Sequence, residues 1–304
     1  MPAPREIITL EREREIVTLA EGLAMDAFGF GPIDPERLID NTECVTMSRG
    51  SYGESFDGML EFDGIGFHIY ANMDRLTRLD EGRGAFTLAH ELGHYYIDEH
   101  RHWLEDHPGK GLPSLLFSSL AKDAPHEREA DVFASSLIMP TPSFRKRVRS
   151  PAPGADVVVD TAEFFRCSLT STAIRFCELE PFPCAIIRWS AAGAYLWGRM
   201  SPRVHGAYGA LARDLSGLRS ESLTAETLQG GSAKARRGRR PTVSEVWFPW
   251  AEGRSLRKNA KLEQYCATMD EHVMPLGDYG CLTLLCGHGL ANLPACAKPS
   301  AGKL

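Results

Sequence analysis

The segment Phe86-Thr-Leu-Ala-His-Glu-Leu-Gly-His94 constrains this chain more than any other. It has the form His-Glu-x-x-His and lies in an apolar, helix-forming run. Residues four apart share a helical face, so a helix through this segment brings His90 and His94 together. Two imidazoles so placed suit one zinc ion, and Glu91 between them can reach water at such an ion. Phe86, Ala89, Leu92, Gly93 and Ile97 surround the pair with apolar residues, which argues for a buried helix rather than a solvated one. A glycine in mid-helix costs about 1 kcal/mol relative to alanine. Gly93 therefore marks a close approach by another element.

A hydrolytic zinc site needs a third protein ligand and an open position. Glu127 is the best candidate, on a helix predicted to start near Pro125 and to end at Pro140. Asp131, four residues on, shares its face and can accept a hydrogen bond from a ligand imidazole, fixing its tautomer. Glu129 projects about 200° away and is not expected to face the same site. His126 and His100 remain alternative ligands. The set suits zinc, with manganese or iron as alternatives where availability decides occupancy. Glu91 reads as the base that takes a proton from water and hands it to the leaving amine. His126, Tyr95, Tyr96 and Tyr70 are open candidates for stabilising the oxyanion. His68 reads as a structural strand residue, and His100, His102 and His107 as a solvated loop.

The chain has 304 residues, 43% of them hydrophobic, enough for about two domains. Its net charge of −6 argues against a surface built throughout for nucleic acid. No apolar run is long enough for a membrane span, and the first residues lack the apolar core of a signal peptide, so a cytoplasmic protein is expected. The 8 cysteines form no C-x-x-C pair and read as reduced thiols. Cys281 and Cys286 are expected to be buried small hydrophobes rather than a redox pair.

Helical spacing predicts a helix over 7–28, and Asp34-Pro35 starts a shorter one. Residues 44–47 read as a strand, and residues 56–62 and 65–70 as a hairpin turning at Asp63-Gly64. The motif helix should run over about 81–97, followed by an irregular stretch over 98–123. Residues 150–156 read as a linker, 157–166 and 169–179 as two short helices, and 184–189 with 194–198 as a second hairpin. Residues 243–248 and 281–285 read as strands, and the basic stretch Gly230–Arg240 as a mobile loop.

These elements resemble the ImmA/IrrE family of zinc metallopeptidases. The resemblance rests on Ala-His-Glu-Leu-Gly-His and on Glu127-Arg-Glu-Ala-Asp-Val-Phe-Ala-Ser-Ser-Leu-Ile-Met-Pro140, and covers about residues 10–145. It implies an α+β fold with a zincin-like peptidase domain over 1–150, built of helices and a small antiparallel sheet. A helix-turn-helix-like module over 151–180 and a mixed α/β, sensor-like GAF-type domain over 181–304 would follow. It implies His90, His94 and Glu127 as zinc ligands and Glu91 as catalytic base. Characterised members cleave cytoplasmic helix-turn-helix repressors in mobile-element induction or a DNA-damage response, so the expected partner is such a repressor.

Two other readings compete. In one the peptidase-like fold is a scaffold for a DNA-binding regulator, with Arg166, Arg175 and the basic run Arg236–Arg240 as contacts. A recognition helix wants several donors for bases and phosphates, and the helix over 169–179 offers mainly Ser171, Thr172 and Arg175. In the other the chain is the toxin half of a two-gene system.

Overall fold

The structure, a computed structural model, describes residues 8–114, 124–149, 153–213, 222–230, 236–248, 268–291 and 293. They group into two units, Met1–Arg147 with Ala162–Ser168, and Val148–Thr161 with Leu169–Leu304.

In the first unit, the Thr9 side chain accepts from Arg12 N at 3.1 Å and starts helix α1 (Leu10–Phe28). Gly29, at φ +59°, stops it. Asp34 caps α2 (Pro35–Asp40), whose first residue is a proline. Three strands follow: β1 (Val45–Gly50), β2 (Gly58–Phe62) and β3 (Phe67–Asn72). β2 and β3 pair antiparallel across Asp63–Gly66, where the Asp63 carboxylate accepts from Ile65 N at 2.8 Å and Gly66 N at 2.9 Å. Then come α3 (Gly82–Tyr96), α4 (Asp98–Glu105), β4 (Leu112–Ser114), α5 (Pro125–Ile138) and α6 (Thr141–Arg147).

The first sheet has the order β1-β3-β2-β4 and is mixed, where a small antiparallel sheet is expected. After β1 the chain crosses to the far side of the position that β3 later fills, so β3 returns parallel to β1. The stretch over 98–123 is also more regular than expected, because α4 and β4 lie within it; residues 115–123 fall outside the described residues. The buried side of α4 carries His100 beside Leu104, so no apolar period announces the helix.

α5 packs on both α1 and α3, and α3 also lies against β2. Ile16, Ala20 and Ala24 of α1 and Ala130, Phe133, Ala134 and Leu137 of α5 are buried there. A Cβ at Gly93 would stand 3.2 Å from Ala130 Cα and 3.2 Å from the Phe133 side chain. Gly93 thus permits the approach of α5 that brings the second acidic segment to the motif. Buried Asp57, just before β2, accepts from Arg75 Nε at 2.7 Å and also pairs with Arg83 of α3.

Helix α7 (Ala155–Phe165) is shared between the two groupings. In the second unit follow α8 (Leu169–Leu179), β5 (Ala185–Trp189), β6 (Tyr195–Met200), α9 (Pro202–Tyr208) and α10 (Leu223–Gln229). β7 (Gly238–Thr242), α11 (Ser244–Trp247), β8 (Met269–Pro275), β9 (Cys281–Cys286) and α12 (His288–Ala291) complete it. The sheet runs β6-β5-β9-β8-β7 with every pair antiparallel, and all of β9 is buried. Both short helices and the hairpin at Gly193 lie where the sequence places them.

In the second unit three expectations fail. Residues 243–248 contain α11 rather than a strand, with Trp247 and Phe248 fully buried. A short apolar run reads the same for a strand and a buried helical turn. The basic stretch ends in edge strand β7, residues 231–235 lying outside the described residues. The linker reading over 150–156 fails from Ala155, where α7 begins, with residues 150–152 also outside. Burial pushes the thiols of Cys281 and Cys286 up to about 12, which suits packing rather than exchange chemistry. The fold is α+β, and no described helix is long and apolar enough to cross a membrane.

Candidate metal centre

α3 and α5 face each other through the polar residues that interrupt their apolar sides. His90 and His94 come from adjacent turns of α3 and Glu127 from the first turn of α5. His90 Nε2 lies 3.2 Å from His94 Nε2. Glu127 reaches both, with Oε2 3.4 Å from His90 Nε2 and Oε1 3.4 Å from His94 Nε2. These three ligand atoms lie within 4.8 Å of one another, and all three residues are buried. A tetrahedral zinc with bonds of about 2.0–2.1 Å sets its donors about 3.3 Å apart. Two imidazole nitrogens and one carboxylate at these spacings fit such an ion.

The outer face of His90 is held by Asp131, whose Oδ1 lies 3.0 Å from His90 Nδ1. Glu91 is fully buried beside Gly58 of β2, where a Cβ would stand 2.7 Å from Glu91 Oε1. The missing side chain at Gly58 makes room for that carboxylate.

The charges are coupled. Burial pushes the His90 imidazolium down, but hydrogen bonds to Asp131 and Glu127 outweigh it and hold the pKa up at about 10. At His94 burial wins and pushes the pKa down to about 3 despite Glu127. Burial alone would raise Glu127, yet its hydrogen bonds to His90 and His94 hold it well below the usual carboxylate range. Burial also pushes His100 down to about 4.

Of the oxyanion candidates, His126 stands nearest, with Nε2 3.5 Å from Glu127 Oε1 and its side chain 46% exposed. The Tyr95 hydroxyl donates to Glu43 O, and that of Tyr96 bonds to Thr42 Oγ1. Tyr70 lies edge-on to His68 and Tyr52 on the sheet. His68 bonds to Thr46 and Ser48 across the β1–β3 pair, a structural role.

One sequence reading needs correction. His100 does not belong to a solvated loop: it is buried, with Nδ1 3.1 Å from His94 Nδ1. Glu129 lies outside the set of His90, His94 and Glu127, as expected, and its Oε2 lies 3.2 Å from His100 Nε2. The helical wheel places Glu129 away from Glu127 correctly, but α4 wraps round to meet it. The one available signal was Asp98-Glu99, an acidic helix start ahead of His100.

Residues 77–176 match the family model described as Peptidase_M78, IrrE N-terminal-like domain. This segment is similar to the IrrE N-terminal-like domain. It contains His90, Glu91, His94, His100, Glu127 and Asp131. The match begins after β3 and runs through α7 into α8. No curated protein matches the sequence. A solved structure described as a Mycobacterium tuberculosis transcriptional regulator is similar in fold, with a TM-score of 0.52 and 11% identity over 96% of this chain and 96% of that one.

Four of the arginines offered for DNA contact are engaged within the second unit. Arg175 is buried and pairs with Glu178 at 3.2 Å. Arg237, Arg239 and Arg240 pair with Asp156, Asp270 and Glu226.

Removing the third donor tests the geometry of this candidate centre. Glu127→Ala is expected to weaken zinc binding by more than about a hundredfold, beyond the effect of losing an outer partner. Elemental analysis after gel filtration checks this, and full occupancy in the variant would place the third ligand elsewhere.

Proposed function

We propose that this protein is a zinc-dependent endopeptidase that cleaves a cytoplasmic protein at a specific site. The reading is carried by the convergence of His90, His94 and Glu127 beside buried Glu91. A bound zinc would supply a Lewis acid that polarises the scissile carbonyl and acidifies water. Glu91 takes one proton as the water oxygen adds to the carbonyl carbon, and returns it to the nitrogen as the C–N bond breaks. Asp131 accepts from His90 Nδ1–H, which leaves the Nε2 lone pair turned to the cluster. His126, whose Nε2 lies 3.5 Å from Glu127 Oε1, would donate to the oxyanion.

The substrate we infer is a helix-turn-helix transcriptional repressor, cut in a stress response or in mobile-element induction. Residues 151–180 would act as a helix-turn-helix-like docking module, and residues 181–304 as a GAF-type sensor. The alternative of a DNA-binding regulator is disfavoured by the paired arginines of the second unit.

The test is terminal-amine labelling of cell protein exposed to the zinc-loaded protein, with and without a chelator. The expected result is one or a few new termini, all chelator-sensitive, with a DNA-binding repressor among their parents. Absence of new termini at full zinc occupancy would overturn the peptidase reading.

A further inference from the structure

Behind His94 stands a second imidazole. His94 Nε2 faces His90 and Glu127, while His94 Nδ1 lies 3.1 Å from His100 Nδ1. The other nitrogen of His100, Nε2, lies 3.2 Å from Glu129 Oε2. That same oxygen accepts from Arg12 Nη2 at 2.9 Å, and Arg12 also binds Glu99 at 2.7 Å. The row thus runs from α3 through α4 and α5 to α1, and the side chains of His100 and Glu129 are only 6% and 14% exposed.

The hydrogens of this row follow from one requirement. A His94 that offers its Nε2 lone pair to a cation must carry its hydrogen on Nδ1. That hydrogen then needs an acceptor, and His100 Nδ1 is the atom in reach. With Nδ1 bare, neutral His100 carries its hydrogen on Nε2, where Glu129 accepts it. Arg12 keeps Glu129 turned inward with a charge-assisted bond. Both nitrogens of His100 are engaged in this way, so none is left to act as a ligand itself.

We propose that His100, backed by Glu129 and Arg12, is the positioning residue that fixes the Nδ1–H tautomer of His94 and raises the metal affinity of the cluster. It does for His94 what Asp131 does for His90, through a neutral ring instead of a carboxylate. The inference rests on His90, His94 and Glu127 forming a metal site.

The experiment titrates the full chain with zinc against a chromophoric chelator and records visible absorption with cobalt(II) in its place. Wild type, His100→Leu, Glu129→Leu and Glu129→Gln are compared. His100→Leu is expected to weaken zinc binding about tenfold to a hundredfold and to shift the cobalt bands. Glu129→Leu should move both in the same direction, and Glu129→Gln should recover most of the loss because its Oε1 still accepts from His100. A purely packing role would lower the unfolding temperature of the metal-free protein without moving the cobalt bands. Folded His100→Leu with zinc affinity within about twofold of wild type and unchanged bands would overturn the proposal. Should His100→Leu fail to fold, the two Glu129 variants decide, and equal behaviour of the pair overturns it. A wild type that binds neither metal would overturn the site and this inference together, which separates the two failures.

Discussion

Glu91→Gln is expected to lower the rate of substrate cleavage by about 10²- to 10⁴-fold while leaving zinc content and thermal unfolding at wild-type values. Glu91 stands outside the set of His90, His94 and Glu127, so its loss should not empty the site. Glutamine keeps the shape of a fully buried side chain whose carboxylate sits against Gly58, and the substitution therefore demands no repacking. What changes is proton affinity: an amide cannot take the proton of the attacking water. Cleavage is followed on a gel once the termini experiment has named a substrate, with elemental analysis of the same sample. Cleavage by the variant at the wild-type rate would show that another group is the base.

This site was unevenly legible in the sequence. His90 and His94 could be paired because helical spacing converts four residues into one face. Glu127 and Asp131 followed by the same rule, and the cost of Gly93 pointed to the close approach of α5. Those inferences depend on one helix at a time. His100 and Glu129 depend on how α4 meets α5, and no period within either helix encodes that. A buried histidine also hides its own helix, since burial is normally read from apolar residues. The same reasoning covers the fold. The turn at Asp63–Gly66 is local chemistry and was readable. The parallel pairing of β1 with β3 is set by the path of the chain between strands. β8 was missed because Asp270-Glu271-His272 interrupts its apolar residues, and buried Glu271 is satisfied only in the assembled unit.

Glu271→Ala is expected to remove about 4 kcal/mol from the stability of the second unit, a large share of what a domain normally has. Glu271 lies in β8 with no exposure. Its Oε1 accepts from Ser222 Oγ at 2.9 Å, Thr224 N at 2.6 Å and Thr224 Oγ1 at 2.7 Å, and its Oε2 from Leu223 N at 3.1 Å. Leu223 N and Thr224 N belong to the first turn of α10, where no partner exists within the helix. The network continues through Thr224 Oγ1 to Thr283 Oγ1 at 2.6 Å and on to Trp189 Nε1 at 3.1 Å, tying β8, α10, β9 and β5 together. Alanine would strand two backbone donors, each costing about 1–3 kcal/mol when buried, and would open a cavity beside them. Glutamine keeps one acceptor but turns an amide against the remaining donors, so Glu271→Gln should lose less. Urea unfolding followed by the fluorescence of buried Trp189 and Trp247 reads the effect in this unit. Zinc content should stay at the wild-type level, because His90, His94 and Glu127 belong to the first unit. A loss below about 1 kcal/mol would mean that α10 is held by its other contacts and not by this carboxylate.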